Sequence, residues 1–206
     1  MDVNGPVDLE EKCLDRIYVN FGVVTGGFYC NDNELTSLAG CPIKVGGSFY
    51  CYKNKLTNLL GSPKEVGGNF NCYDNGLIDL IGCPNYVGRG FNCGDCKLQS
   101  LEGCPNDILG NFDCVNNQLS TLEYSPEYVD GNFNCWNNCL TSLEDCPSKI
   151  VGSFHCYGND LDESEVFLYN YSSEQIRQYY IGKNLNEKLL VGLSEESEVG
   201  IKRKKL

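Results

Sequence analysis

The sequence predicts a mainly β repeat solenoid: eight coils of 21 residues, a parallel sheet along one side, and a small helical cap at the C-terminal end. Three observations carry this. Cysteine recurs every 21 residues, at Cys30, Cys51, Cys72, Cys93, Cys114, Cys135 and Cys156. Phenylalanine stands two residues before each one, from Phe28 to Phe154. A leucine column follows every anchor (Leu35 to Leu161), and all but the last anchor add a second leucine (Leu38 to Leu143), then a small residue and a proline, as in Cys41-Pro42 and Cys146-Pro147. A fixed period of this length marks stacked units, none of which can bury its apolar face alone.

Each part of the coil has a physical reason. Phe-x-Cys alternates as a strand does, which turns both named side chains inward. The Gly-rich step before it, as in Val45-Gly46-Gly47, turns the chain into that strand. Asparagine stands three residues after the cysteine at Asn33, Asn54, Asn75, Asn117, Asn138 and Asn159, with Cys96 as the exception. Its carboxamide is suited to bond peptide groups of the adjacent loop that no regular structure serves. Between the second leucine and the closing aliphatic (Val45, Val66, Val87, Ile108, Val129, Ile150), Gly and Pro exclude a long helix. That side of the coil is expected to be extended or turn-like. Leu9 carries the register back one more period, with Val7 in the phenylalanine column and Leu14, Ile17 and Val24 in the later ones. Coils are therefore expected to start near residues 3, 24, 45, 66, 87, 108, 129 and 150 of a solenoid over 1–161, the outer two degenerate.

After Leu161 the pattern fails. Asp162-Glu163-Ser164-Glu165 reads as a capping start, with Val166, Phe167 and Leu168 behind it. Ser172-Ser173-Glu174-Gln175 starts a second helix carrying Ile176, Tyr179 and Tyr180, which Gly182 is expected to stop. A third short helix is expected over 184–191. Residues 162–193 together form a helical cap over the open end of the column, where an unpaired strand would invite association. Residues 194–206, ending Lys202-Arg203-Lys204-Lys205-Leu206, are expected to be a disordered charged tail.

The run Phe-x-Cys-x-x-Asn-x-Leu-Thr-Ser-Leu, at residues 28–38 and 133–143, resembles the conserved segment of leucine-rich repeats, Leu-x-Leu-x-x-Asn-x-Leu. Here Phe and Cys take the first two apolar sites. The proline after the small residue is similar to the short, proline-bearing bacterial type. The Cys-Pro and Val-Gly-Gly steps resemble repeats in phage and giant-virus proteins, which points to a viral protein. The resemblance spans residues 3–161. It implies a right-handed arc with its parallel sheet on the concave side, protein binding as the use, and no shared catalytic residues.

Charge and cysteine content bound the function. The net charge is −12, and the first 170 residues hold nine basic against 23 acidic groups. Such a body repels phosphate backbones and lacks the basic stripe of a nucleic-acid binder. No run of 18 apolar residues spans a membrane, and MDVNGPVDLEEK does not read as a secretory signal. Fourteen cysteines, most of them on repeat columns, are then expected as reduced thiols acting as small hydrophobes in an intracellular, cytoplasmic protein, or in the host cell of a virus. Cys93-Gly94-Asp95-Cys96 is a lone Cys-x-x-Cys with each cysteine on a repeat column, so a packing role is expected and no metal site. Cys13 and Cys139 share a column expected nearer the surface.

The side chains that alternate with Phe and Cys point out of the sheet and vary while the inner columns stay fixed. They place Tyr29, Tyr50, Tyr52 and Tyr73 near the start and Trp136, His155 and Tyr157 near the end. A polar stretch with Asn92, Asp95 and Asp113 lies between. Aromatics on a rigid surface supply contact area at low entropy cost. His155 is the single histidine and lacks a partnered nucleophile, so it reads as a surface strand residue rather than a general base. The expectation is a non-enzymatic protein-binding module without cofactor, its acidic groups favouring a basic protein partner. The alternative is an acidic, DNA-mimicking inhibitor of a nucleic-acid-binding protein. That reading needs phosphate-like regularity, which the sparse Asp8, Asp32, Asp74, Asp95 and Asp113 do not give. A carbohydrate-active enzyme would need clustered carboxylates, and these are scattered.

Overall fold

Seven Phe-x-Cys segments and the Val7 segment pair as successive parallel strands, Val7–Asp8, Phe28–Tyr29, Phe49–Tyr50, Phe70–Asn71, Phe91–Asn92, Phe112–Asp113, Phe133–Asn134 and Phe154–His155. This computed structural model describes residues 1–170, 172–186 and 188. Every strand pairs with the one 21 residues away, Phe28 with Phe49 and so on through Phe133 with Phe154, so the chain is a parallel β-solenoid. The opposite limb of each coil is extended, as expected. Its two-residue strands form two shorter parallel sheets, one from Val23–Val24 to Tyr86–Val87 and one from Asp107–Ile108 to Lys149–Ile150.

The core is one continuous column. Phe28, Phe49, Phe70, Phe91, Phe112 and Phe133 are fully buried, and successive rings from Phe28 to Phe154 lie 5.0–5.7 Å apart. Each buried ring contributes roughly 1.5–3 kcal/mol. At the first coil Val7 is too small to continue the stack, and Phe21 packs edge-on against Phe28, centroids 5.1 Å apart. The cysteine and leucine columns are buried beside the rings from Cys30 to Cys156 and Leu35 to Leu161. All fourteen cysteines are free, and Cys13 and Cys139 are exposed. Burial holds the thiols of Cys51, Cys72, Cys93 and Cys135 protonated well above the ordinary range and pushes Cys96 up to about 11. A protonated buried thiol is neither nucleophile nor ligand, so the ladder works as packing.

The asparagine column closes the turn that ends each strand. The Nδ2 of Asn75 donates to the carbonyls of Cys72 (2.9 Å) and of Cys51 one coil back (3.1 Å), while its Oδ1 accepts from the Leu56 N–H at 3.0 Å. Asn33, Asn54, Asn117, Asn138 and Asn159 repeat the pattern. The chain swings out before the asparagine because the residue two after each cysteine is left-handed, with φ of 49–54° at Asp32, Lys53, Asp74, Asp95, Asn116 and Asn137. Asp and Asn tolerate this conformation better than most residues.

The cap differs from the sequence expectation in two places. Asp162 Oδ1 accepts from the Ser164 N–H at 2.8 Å, a local turn, and a 3-10 helix over Val166–Asn170 follows. The second helix starts as expected, with Ser172 N–H on Gln175 Oε1 (2.9 Å) and Gln175 N–H on Ser172 Oγ (3.3 Å), a reciprocal capping box. It then continues over 173–186, so Gly182 does not stop it. Its packing holds it together: Ile176 is fully buried and Lys183 reaches back to Glu165. The expected third helix over 184–191 is therefore a continuation of the second as far as 186. Residue 187, residues 189–193 and the 194–206 tail, with Lys202–Lys205, lie outside the described residues.

Glu165, read from the sequence as a capping residue, is instead the buried latch of the cap. Its carboxylate accepts from Tyr180 Oη at 2.6 Å and Lys183 Nζ at 2.6 Å, and Tyr180 Oη in turn accepts the Leu143 N–H at 3.1 Å. Burial pushes the carboxyl up, but the bonds from Lys183 and Tyr180 outweigh it and hold it below the ordinary 4.5. With the folded value depressed, the latch is complete above pH 4.5 and weakens as pH falls through the folded value. The protection of the Leu143 amide against exchange, relative to an unstructured amide at the same pH, should therefore fall in acid. Glu165→Gln should show faster exchange already at neutral pH, with a loss of about 1–2 kcal/mol. A protection factor at Leu143 that ignores both pH and substitution would refute the latch.

Candidate functional site

The outward side chains of the long sheet form two aromatic groups, as the alternation implies. Tyr29 and Tyr50 are neighbours on paired strands, ring centroids 5.3 Å apart, and Tyr50 meets Tyr52 at 6.0 Å. All three are half-buried, as is Tyr73 on the next coil. Tyr73 makes no ring contact with them among the described residues; Asp95 beside it raises the pKa of its phenol. Burial and the Glu10 carboxylate do the same to Tyr52. Near the other end, Trp136 and Tyr157 stack in parallel, 5.6 Å apart at 8°. Tyr157 is 54% exposed, so the stacked pair presents a flat apolar surface.

His155 separates from this second group. Its Nδ1 lies 2.7 Å from Asn134 Oδ1, and Asn134 Nδ2 donates to Asp113 Oδ1. Asp113, Asn134 and His155 thus form one polar chain across three strands, parallel to the aromatic column and distinct from it. Burial raises the Asp113 pKa against the pull of Asn134. Asn31, which follows Cys30 in the column that carries Tyr52 and Tyr73, is buried; its Nδ2 bonds Glu10 Oε1 at 2.6 Å and Asp32 Oδ2 at 2.9 Å. Among the described residues no group of three or more His, Cys, Asp or Glu is placed to hold a metal ion. None of their helices is long and apolar enough to cross a membrane.

Between the aromatic groups the solenoid has a fault. The limb opposite the long sheet is bonded coil to coil by Gly46 N–H to Val24, Gly67 to Val45 and Gly88 to Val66, at 2.8–2.9 Å. The series lapses at Leu109 and resumes at Asp130 to Ile108 and Val151 to Val129. That lapse separates the two short sheets. The cause lies in the column itself. A Cβ on Gly46, Gly67 or Gly88 would drive into the carbonyl oxygen of Thr25, Gly46 or Gly67, one coil back. Leu109 is the first residue after these glycines to bring a Cβ, so it cannot nest on Gly88. Arg89 likewise interrupts a column otherwise made of glycine from Gly26 to Gly152. The disturbance reaches the core: Phe28, Phe49 and Phe70 stack within 8–9° of parallel, while Phe91 is turned by 37° and 34° from its two neighbours.

The long sheet stays paired across the fault, so the opening is a wedge rather than a break. On the sheet side it is a cleft of about 530 Å³, lined by Asn69, Asn71, Arg89, Asn92, Asn111 and Asp113 among others. The sequence reading placed Asn92 and Asp113 here without a cleft. The signal was present, because Arg89, Gly90, Gly94, Cys96 and Leu109 all depart from their columns within one period. Compared with protein families, with curated proteins and with solved structures, the chain matches none.

Proposed function

We propose that the long sheet of the solenoid docks a protein partner, with Tyr29, Tyr50, Tyr52 and Tyr73 as one anchor and Trp136 with Tyr157 as the other. The observation that carries this is the stacked Trp136–Tyr157 pair, with Tyr157 exposed, on the last two paired coils of the long sheet. Such rings are already ordered, so a partner covering them orders little. Repeat solenoids present extended surfaces of this kind, and the resemblance to leucine-rich repeats points the same way. His155 belongs to the rim, tied to Asn134. The reading is of a non-enzymatic module: the polar chain Asp113–Asn134–His155 reaches no nucleophile among the described residues.

The test has two steps. Partners are captured from the native cell and identified by mass spectrometry, and the identified protein is then titrated against variants. Tyr50→Ala, Tyr52→Ala and Tyr73→Ala combined should weaken binding by about a hundredfold or more. The same triple variant should move Tm by no more than about 4 °C. Unchanged affinity in the triple variant would remove that face from the interface.

A further inference from the structure

The cleft at the fault is lined by groups whose hydrogen-bonding capacity points one way. Asn71 Oδ1 accepts the Tyr73 N–H at 3.0 Å and Asn92 Oδ1 the Gly94 N–H at 3.0 Å. Asn69 Oδ1 takes the Gly90 N–H at 2.9 Å and Asn111 Oδ1 the Asn132 N–H at 2.9 Å. In all four the carbonyl oxygen is held by a backbone N–H, which fixes the orientation of the amide. The four NH₂ groups have no partner among the described residues, and no side-chain nitrogen is buried without one, so they face solvent. Arg89 lines the same cleft, is exposed, and makes no ion pair among the described residues. This guanidinium stands in a column otherwise made of glycine, within a body of net charge −12.

Four pinned amides and a guanidinium form a donor array, and a donor array selects an acceptor-rich, anionic group. The next strand narrows the choice. Asp113 stands beside Asn92 in the same outward row of the sheet, with one oxygen bonded to Asn134. A second negative charge on the ligand would be repelled there, which disfavours a phosphate dianion. A planar monoanion matches a guanidinium through two parallel bonds. The free Asp113 oxygen then suits a donor carried next to that anion, as a peptide N–H is next to an acidic side chain.

We propose that this cleft binds a glutamate or aspartate side chain of an extended peptide segment. Arg89 and the amides of Asn69, Asn71, Asn92 and Asn111 hold its carboxylate, and Asp113 accepts a backbone N–H beside it. This deepens the docking reading and rests on it for the partner: a protein basic overall with one acidic residue placed between the two aromatic anchors.

The experiment uses N-acetyl-glutamate N-methylamide as probe and follows the Asn side-chain amide and Arg Nε resonances of the full chain by NMR. Saturable shifts confined to the cleft, with a dissociation constant on the order of 1 mM, are expected. The N-acetyl-glutamine analogue and the Arg89→Gln variant should each bind at least about tenfold more weakly. Arg89→Gln should leave the circular dichroism spectrum and Tm unchanged, since the side chain is exposed and makes no ion pair among the described residues. Acetate should bind more weakly than the probe, and Asp113→Ala should erase that difference. Shifts outside the cleft, none at all, equal binding of the glutamine analogue, equal binding of acetate to the wild type, or tighter binding of inorganic phosphate would each overturn the proposal. The probe is too small to bridge to Tyr29 or Trp136, so its failure would leave docking on the aromatic groups standing. Tyr50 also lines the cleft, so the independent arm is Tyr52→Ala with Tyr73→Ala, and loss of docking in that variant would leave the cleft's chemistry intact.

Discussion

Phe91→Ala should destabilise the solenoid by about 3–5 kcal/mol, one of the largest losses available to a single substitution here. The ring is buried between Phe70 and Phe112, at centroid distances of 5.0 and 5.6 Å. Its removal leaves a void in the middle of a column that each coil shares only with its neighbours. It also sits where the limb before the long sheet is unbonded across Leu109, so the two coils are joined there by the long sheet and the Asn117 turn. Urea unfolding measures this directly. Phe154→Ala, at the half-buried end of the stack, should cost roughly half as much. If the terminal substitution proved the more damaging, a continuous phenylalanine spine would not be the core of this fold.

Asn75→Ala should cost about 3–5 kcal/mol although it removes no apolar surface. The carbonyls of Cys51 and Cys72 and the N–H of Leu56 would lose their partner together. These peptide groups belong to a bend that no ladder serves, and the site is buried, so water does not replace the amide. The converse is native to the chain. Cys96 occupies the same slot, 9% exposed against 7% for Asn75, and only its thiol reaches the Cys72 carbonyl, at 3.5 Å. Cys96→Asn should therefore stabilise the protein, by about 1–2 kcal/mol. A urea midpoint that falls with Cys96→Asn would mean that the fault in this coil needs the smaller thiol.

Much of this was legible in the residues because a solenoid converts sequence period into spatial stacking. Phe28 and Phe49 had to meet once Cys30 and Cys51 marked equivalent positions. The asparagine role followed from its place at the strand end. Tyr29 with Tyr50, and Trp136 with Tyr157, were readable as neighbours for the same reason. What was not readable concerns contacts outside the period. Gly182 reads as a helix stop by intrinsic preference, but the buried Ile176 and the Lys183–Glu165 pair carry the helix through it. Glu165 looks like a solvent-facing capping acid and is a latch only because Tyr180 and Leu143 arrive from elsewhere in the chain. Strand alternation puts His155 on the same outward face as the aromatics, and a hydrogen bond to Asn134 draws it into the polar chain instead.

The architecture follows from the residues alone. A 21-residue period with fixed inward residues leaves one way to bury the phenylalanine and leucine columns, so period, register and the outward face follow from pattern. Only the tertiary structure decided where that regularity gives way. Whether a single Cβ at Leu109 can be absorbed depends on how closely the backbone of the coil before it approaches, a distance that no periodicity encodes. The cleft with its unpaired Arg89 exists because that approach is too close.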